Sequence, residues 1–151
     1  MSKNIKYQKH RGFTLMEIIL SVAVIGILAA ISFPLFSGFK VTSDLETGAD
    51  GIAQNLSRAQ AMSQAVAEDS SWGLKLLAGQ AIVFKGASYA TRDVNFDEVS
   101  SLPDTLTFSG VTEIVFAKFS GETQNVGTTT LSVPTGGTKN LIINKKGVVD
   151  Y

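Results

Sequence analysis

The chain of 151 residues has no cysteine and one histidine, His10. Without cysteine, no disulfide braces the fold and no thiolate serves as nucleophile or metal ligand. Beyond His10 there is no imidazole, which excludes a Ser-His-Asp triad and the common zinc sites from the rest of the chain. A phosphate-binding loop is also missing, because Gly136-Gly137 is followed by neither Lys-Ser/Thr nor a helix. Prolines are few: Pro34, Pro103 and Pro134. Charge of either sign is not in excess, with 13 basic and 13 acidic residues. The balance makes no general case for a polyanionic partner. Charge is nearly absent from one long stretch: between Arg11 and Lys40 the only charged side chain is Glu17.

The charges that exist are unevenly placed. Lys3, Lys6, Lys9 and Arg11 give the N-terminal tail four positive side chains. Because the whole chain is formally neutral, the remainder carries 0 − 4 = −4. Next comes Ile18 to Phe39, 22 residues without a charge. About 20 apolar residues suffice to cross a bilayer core. The basic tail then keeps the N-terminus on the cytoplasmic side. A secretory signal peptide is the competing reading, and Ala30-Ile31-Ser32 offers it a small-x-small cleavage site. Glu17 and the length of the run count against it, since signal h-regions span about 7–15 residues. A carboxylate inside hydrocarbon costs on the order of 3 kcal/mol unless paired or neutralised, so Glu17 is a functional candidate.

The residues around it form a compact pattern: Lys9-His10-Arg11-Gly12, then Phe13-Thr14-Leu15-Met16-Glu17, then the apolar run. This pattern resembles the class III leader of type IV pilins and type II secretion pseudopilins. Met16 stands where Ile or Val is more usual in that family. The resemblance implies that a prepilin peptidase cuts between Gly12 and Phe13 and N-methylates Phe13. It implies that Glu17, the fifth mature residue, acts in assembly by pairing with the new α-amine of a neighbouring copy. It also implies other pilins or pseudopilins as partners in a helical filament, and an inner-membrane assembly platform. Many pilins carry a C-terminal disulfide, which a chain without cysteine lacks.

From Thr42 the pattern turns amphipathic. Leu45, Ala49, Ile52, Leu56, Ala59 and Met62 recur at three- and four-residue steps on one helical face, with Asp44, Glu46, Asp50, Asn55 and Arg58 largely elsewhere. One helix from about Thr14 to Ala67 is expected, roughly 80 Å long at ~1.5 Å per residue. Pro34 removes a backbone hydrogen bond inside it and predicts a kink.

Beyond Ser71 the periodicity becomes that of short strands. Strands are expected at Trp72–Leu76, Gln80–Lys85, Thr105–Ser109, Glu113–Phe119 (central in its sheet), Thr128–Val133, Asn140–Asn144 and Gly147–Tyr151. The polar stretch Asp93–Asp104 reads as a loop with at most a short strand. The expected fold is α+β, a long N-terminal helix packed on a mostly antiparallel β-sheet domain. Its parts are a leader at 1–12, a transmembrane and assembly half at 13–39, an amphipathic half at 40–69 and a β-rich head at 70–151. The head alone makes a marginal core, which the helix stripe completes.

A second resemblance narrows the first. Leu56 to Ser63, Ser71-Trp72-Gly73 and Leu141 to Gly147 are similar to H-type minor pseudopilins and FimT-like minor pilins. The resemblance implies a structural subunit, with no catalytic residues, metal or cofactor. Other candidates weigh less. Asp93, Asp97 and Glu98 lack calcium-loop spacing and read as a solvated loop. Lys139, Lys145 and Lys146 read as a solvated hairpin tip, with DNA contact as a minor option. Trp72 alternates with Leu74 and Leu76 and reads as core. Two other classes stay open: an exported soluble β domain and a membrane-anchored binding module that never polymerises.

Overall fold

The computed structural model describes residues 12–134, 136–147 and 149–150, without the side chains of 31–39, 149 and 150. The leader residues before Gly12 lie outside the described residues. The chain divides into two compact units, Met1–Gly38 and Phe39–Tyr151. One helix, α1 (Leu15–Gln64), contributes to both. Its backbone is helical through Pro34. The side chains of 31–39 are outside the described residues, and the kink expected at Pro34 lies with them.

Among the described residues of the second unit, α1 is followed by eight strands: β1 (Trp72–Leu77), β2 (Gln80–Lys85), β3 (Asp93–Ser101), β4 (Thr107–Gly110), β5 (Glu113–Phe116), β6 (Gly127–Ser132), β7 (Thr138–Ile143) and β8 (Val149–Asp150). They form two four-stranded sheets, ordered β3-β2-β1-β5 and β4-β6-β7-β8. Every pairing is antiparallel. The protein is therefore α+β. The chain changes sheet between β4 and β5, where Gly110 adopts a left-handed φ of 82°. A Cβ there would lie 2.2 Å from the Thr128 carbonyl oxygen, so only glycine makes this crossing without moving the backbone.

The amphipathic half of α1 closes the core. Leu45, Ala49, Ile52, Leu56 and Ala59 are buried, and Met62 packs against them half-buried. Their apolar partners come from both sheets, among them Trp72, Leu74, Ile114 and Phe116 from one and Leu131 and Leu141 from the other. Gly48 brings the helix close to Leu106, where a Cβ would be 2.3 Å from a leucine methyl. The opposite face of the first sheet has its own buried pair, Ile82 and Phe84. Tyr89 covers Phe84 edge-to-face at 5.6 Å, and Gly73 leaves room for its ring.

Several expectations need correction. Asp93–Ser101 is a nine-residue strand rather than a loop. Its polar residues are tolerated because it is an edge strand, and Pro103 falls after its last rung. β5 is also an edge strand, not a central one, despite its apolar residues on both faces. It stops at Phe116 because the chain turns at Phe119, which has a φ of 69°. Asn55, which lies off the apolar stripe, is nevertheless buried. It donates to the Gly51 carbonyl at 2.8 Å and accepts from the Ser100 hydroxyl at 3.1 Å. The helix ends three residues before Ala67, where Val66 takes a left-handed φ of 56°. A β-branched residue there is strained by about 1–2 kcal/mol. The indole of Trp72, donating to the Ala67 carbonyl at 2.9 Å, helps hold that turn.

Candidate processing and assembly site

The start of α1 is built by Thr14. Its carbonyl accepts from the Ile18 amide at 3.3 Å, and its hydroxyl accepts from the Glu17 amide at 3.3 Å. Thr14 is thus the N-cap and Glu17 the third residue of the first turn. Thr-x-x-Glu is the spacing of a capping box. That spacing was legible in the sequence as a helix-start signal, and it identifies Thr14 as a working residue of the motif. The Glu17 carboxylate sits where the helix dipole favours negative charge.

Gly12, Phe13, Thr14 and Glu17 line one surface depression. The scissile pair expected from the sequence and the carboxylate therefore share one patch of surface. All four residues are exposed, Phe13 to 80%. Around Gly12, an added Cβ would meet nothing within 4 Å. The fold of the chain itself makes no steric demand for glycine there, so any such demand must come from a molecule that grips the segment.

From Leu15 to Leu28 the helix is apolar around most of its circumference. Leu15, Met16, Ile18, Ile19, Leu20, Val22, Val24, Ile25, Ile27 and Leu28 are all exposed, from 49% to 77%. A helix apolar on most sides is one that buries itself in lipid or in other helices. Among the described residues no helix is long and apolar enough to cross a membrane. The expected span, Ile18 to Phe39, runs into residues 31–39, whose side chains are outside that set.

The remaining candidates are dispersed. Asp97 and Glu98 point to different cations: Asp97 pairs with Arg92 at 2.9 Å, and Glu98 takes both arms of Arg58 on α1. The hydrogen bonds and charge of Arg58 hold the Glu98 carboxyl below its ordinary range, against the cost of its partial burial. Asp93 instead accepts from the Asn95 amide at 3.1 Å. Lys139 stands at the start of β7, whereas Lys145 and Lys146 follow its end. From Lys139 to the end of β7 is about 13 Å at ~3.3 Å per strand residue, so the length of the strand lies between Lys139 and the other two. Lys145 also pairs with Glu122 at 3.4 Å. Trp72 is buried to 2% exposure and meets Phe96 edge-to-face at 6.2 Å, as a core residue does.

Ser63 has a role that the sequence motifs do not assign to it. It is fully buried at the end of α1. Its hydroxyl accepts from the Trp72 amide at 2.8 Å and donates to the Phe116 carbonyl at 3.1 Å. Its own carbonyl accepts from the Phe119 amide at 3.1 Å. One small side chain thereby ties the helix to β1 and β5. The spacing of Ser63, four residues after Ala59, continues the apolar stripe of the helix, and that is the sequence signal that could have found it.

No solved structure matches the chain. Its N-terminal part does match a known family model. Residues 7–33 carry the prokaryotic N-terminal methylation motif, the class III leader of type IV pilin-like proteins.

Proposed function

We propose that this chain is a minor pilin or pseudopilin, a structural subunit of a type IV pilus or type II secretion filament. The observation that carries the reading is the methylation motif at 7–33, with its Gly12-Phe13 pair and Glu17 exposed beside a capped helix start. In this reading residues 1–12 are the leader and 13–39 the membrane and assembly half of the helix. Residues 40–69 are its amphipathic half, and 70–151 form the head. The preprotein inserts with its basic tail in the cytoplasm and its head outside. Prepilin peptidase cuts after Gly12 and methylates Phe13.

Cleavage changes the electrostatics of the site. It places a cationic α-amine four residues before Glu17. Within one helix start that amine and the helix dipole share the same sign, so an additional carboxylate is favourable there. In a bundle of such helices, the Glu17 of one subunit and the Phe13 amine of its neighbour neutralise one another in a medium that tolerates neither charge alone. Apolar packing of these largely hydrophobic helices supplies most of the association, and the charge pair selects the register. The assembly platform in the inner membrane and the other filament subunits are its partners. It is not an enzyme.

The mature N-terminus, read by mass spectrometry on membrane and sheared-filament fractions, tests this. N-methylated Phe13 in filaments is expected. An N-terminus at Phe33 means a secreted soluble domain instead. An intact Met1 leader means a static anchor and refutes the pilin mechanism. Glu17→Ala is expected to leave cleavage intact while lowering incorporation into filaments. Normal incorporation of that variant removes the role assigned to Glu17.

A further inference from the structure

Within residues 12–30, where the side chains of the first unit are described, only Thr14, Glu17 and Ser21 are polar. They are not scattered. On a helix, residues three and four apart are neighbours, with about 5–6 Å between Cβ atoms. Glu17 follows Thr14 by three and Ser21 follows Glu17 by four, so they stack along one side of α1. The positions between them are Leu, Met and Ile.

Thr14 caps the helix and Glu17 carries the charge. Those roles leave Ser21 unexplained. Serine is a poorer helix former than alanine, and lipid offers its hydroxyl no hydrogen bond. The Ser21 hydroxyl donates to the Glu17 carbonyl at 2.7 Å. That bond satisfies its proton inside the helix. It also fixes the oxygen beside the Glu17 backbone, with its lone pairs directed to accept. Helical side chains lean toward the N-terminus. Glu17 accordingly lines the same depression as Thr14, and the Ser21 oxygen lies over the next turn. The stripe presents a carboxylate and, one turn on, a second acceptor.

An occupant for such a pair carries a positive charge and more than one N–H. The methylation motif at 7–33 supplies that chemistry. An α-amine methylated once is a secondary ammonium, with one positive charge and two N–H donors. Glu17 is the only charged residue between Arg11 and Lys40, so that segment holds no side-chain cation for it. In hydrocarbon the charge needs a counter-ion and each N–H needs an acceptor. One bond to the carboxylate and one to the Ser21 oxygen meet all three needs.

We infer that Ser21 is the second half of the assembly contact. The N-methylated ammonium of a neighbouring subunit docks on the Glu17–Ser21 stripe, giving one N–H to the carboxylate and the other to the Ser21 hydroxyl oxygen. Two acceptors one turn apart fix the rotation of the helix as well as its register, which a single charge pair does not. The side bearing Ile19 and Ala23 then faces away from that neighbour. This assignment rests on the subunit being processed and assembled as proposed.

The test expresses full-length variants in cells that process and assemble the wild type. Each is read twice, by mass spectrometry of its N-terminus and by its amount in sheared filaments. Ser21→Ala improves helix propensity, so it should insert, be cut and be methylated as the wild type is. Its amount in filaments should fall about threefold, the size of one average polar contact between membrane helices. Ser21→Thr keeps the oxygen in place and should assemble normally. Ala23→Ser added to Ser21→Ala returns the hydroxyl on the opposite side of the helix, because two residues turn it by about 200°, and assembly should stay low. A role in close packing alone would be served equally by alanine. The inference is overturned if Ser21→Ala assembles as the wild type does, if Ser21→Thr fails as Ser21→Ala does, or if Ala23→Ser restores assembly. Failure of the filament reading looks different and takes this inference with it: the wild type itself then lacks methylated Phe13 or is absent from filaments.

Discussion

Replacing Ser63 by alanine tests how the helix is fastened to the head. The hydroxyl lies in a site of 0% exposure and serves the Trp72 amide and the Phe116 carbonyl together. Alanine removes one oxygen and leaves its volume nearly unfilled. Little apolar area changes, so the transfer term is small. The cost is that of leaving buried polar groups unmade, about 1–3 kcal/mol for one such group. Trp72 is itself buried to 2%, so water has little access to its amide. We expect a loss of about 2 kcal/mol. For a unit of this size that lowers the melting temperature by roughly 8 °C, at ~4 °C per kcal/mol. Trp72 is the only tryptophan in the chain, and its fluorescence reports unfolding at the affected point. Ser57→Ala is the control. Ser57 lies on the same helix, is exposed, and donates only to the Ala53 carbonyl at 2.9 Å. It should change stability by less than about 0.5 kcal/mol. If Ser63→Ala melts within that same margin of the wild type, the hydroxyl is not a fastening and the argument from buried donors fails.

Three further outcomes are expected. Gly12→Val should melt as the wild type does, because an added Cβ meets nothing within 4 Å, yet block cleavage in an assay with prepilin peptidase; normal cleavage would remove the steric role of Gly12. Gly73→Ala should destabilise the head by at least about 2 kcal/mol, since its Cβ would sit 2.6 Å from the Phe84 ring and 2.7 Å from the Ile114 carbonyl oxygen; thermal unfolding measures it. Glu98→Gln should flatten the acid limb of stability. The folded carboxyl is held low, chiefly by its hydrogen bonds with Arg58. Its contribution is therefore present above the unfolded carboxylate value, about 4.3, and is lost as pH falls through the lower folded value. Melting temperatures of the two proteins should converge once pH falls below the lowered folded value and separate toward neutrality.

What could be read in the one-dimensional chain is what short-range physics controls. The Gly12–Glu17 motif, the capping spacing of Thr14 and Glu17, and the charge-free run after it are all contiguous. The stripe Leu45, Ala49, Ile52, Leu56, Ala59 and Met62 follows from a helical period of 3.6 residues, and each of these residues packs in the core. The β1–β2 hairpin follows from alternation around Ala78-Gly79, and the turn glycines at 79 and 147 have the left-handed φ their positions call for.

Tertiary structure decided what depends on partners far away in sequence. Asp93–Ser101 has a loop-like composition but becomes a strand, because β2 offers a ladder and one of its faces stays wet. Glu113–Phe116 has the composition of a central strand but lies at an edge, with Ile114 and Phe116 buried in the core. Asn55 and Ser63 are polar residue types and are buried, since Ser100 in one case and Trp72 and Phe116 in the other supply the hydrogen bonds that burial requires. Local periodicity determines which face of an element is apolar. Which neighbour covers that face, and which polar groups it can satisfy there, is settled only when the helix and both sheets meet.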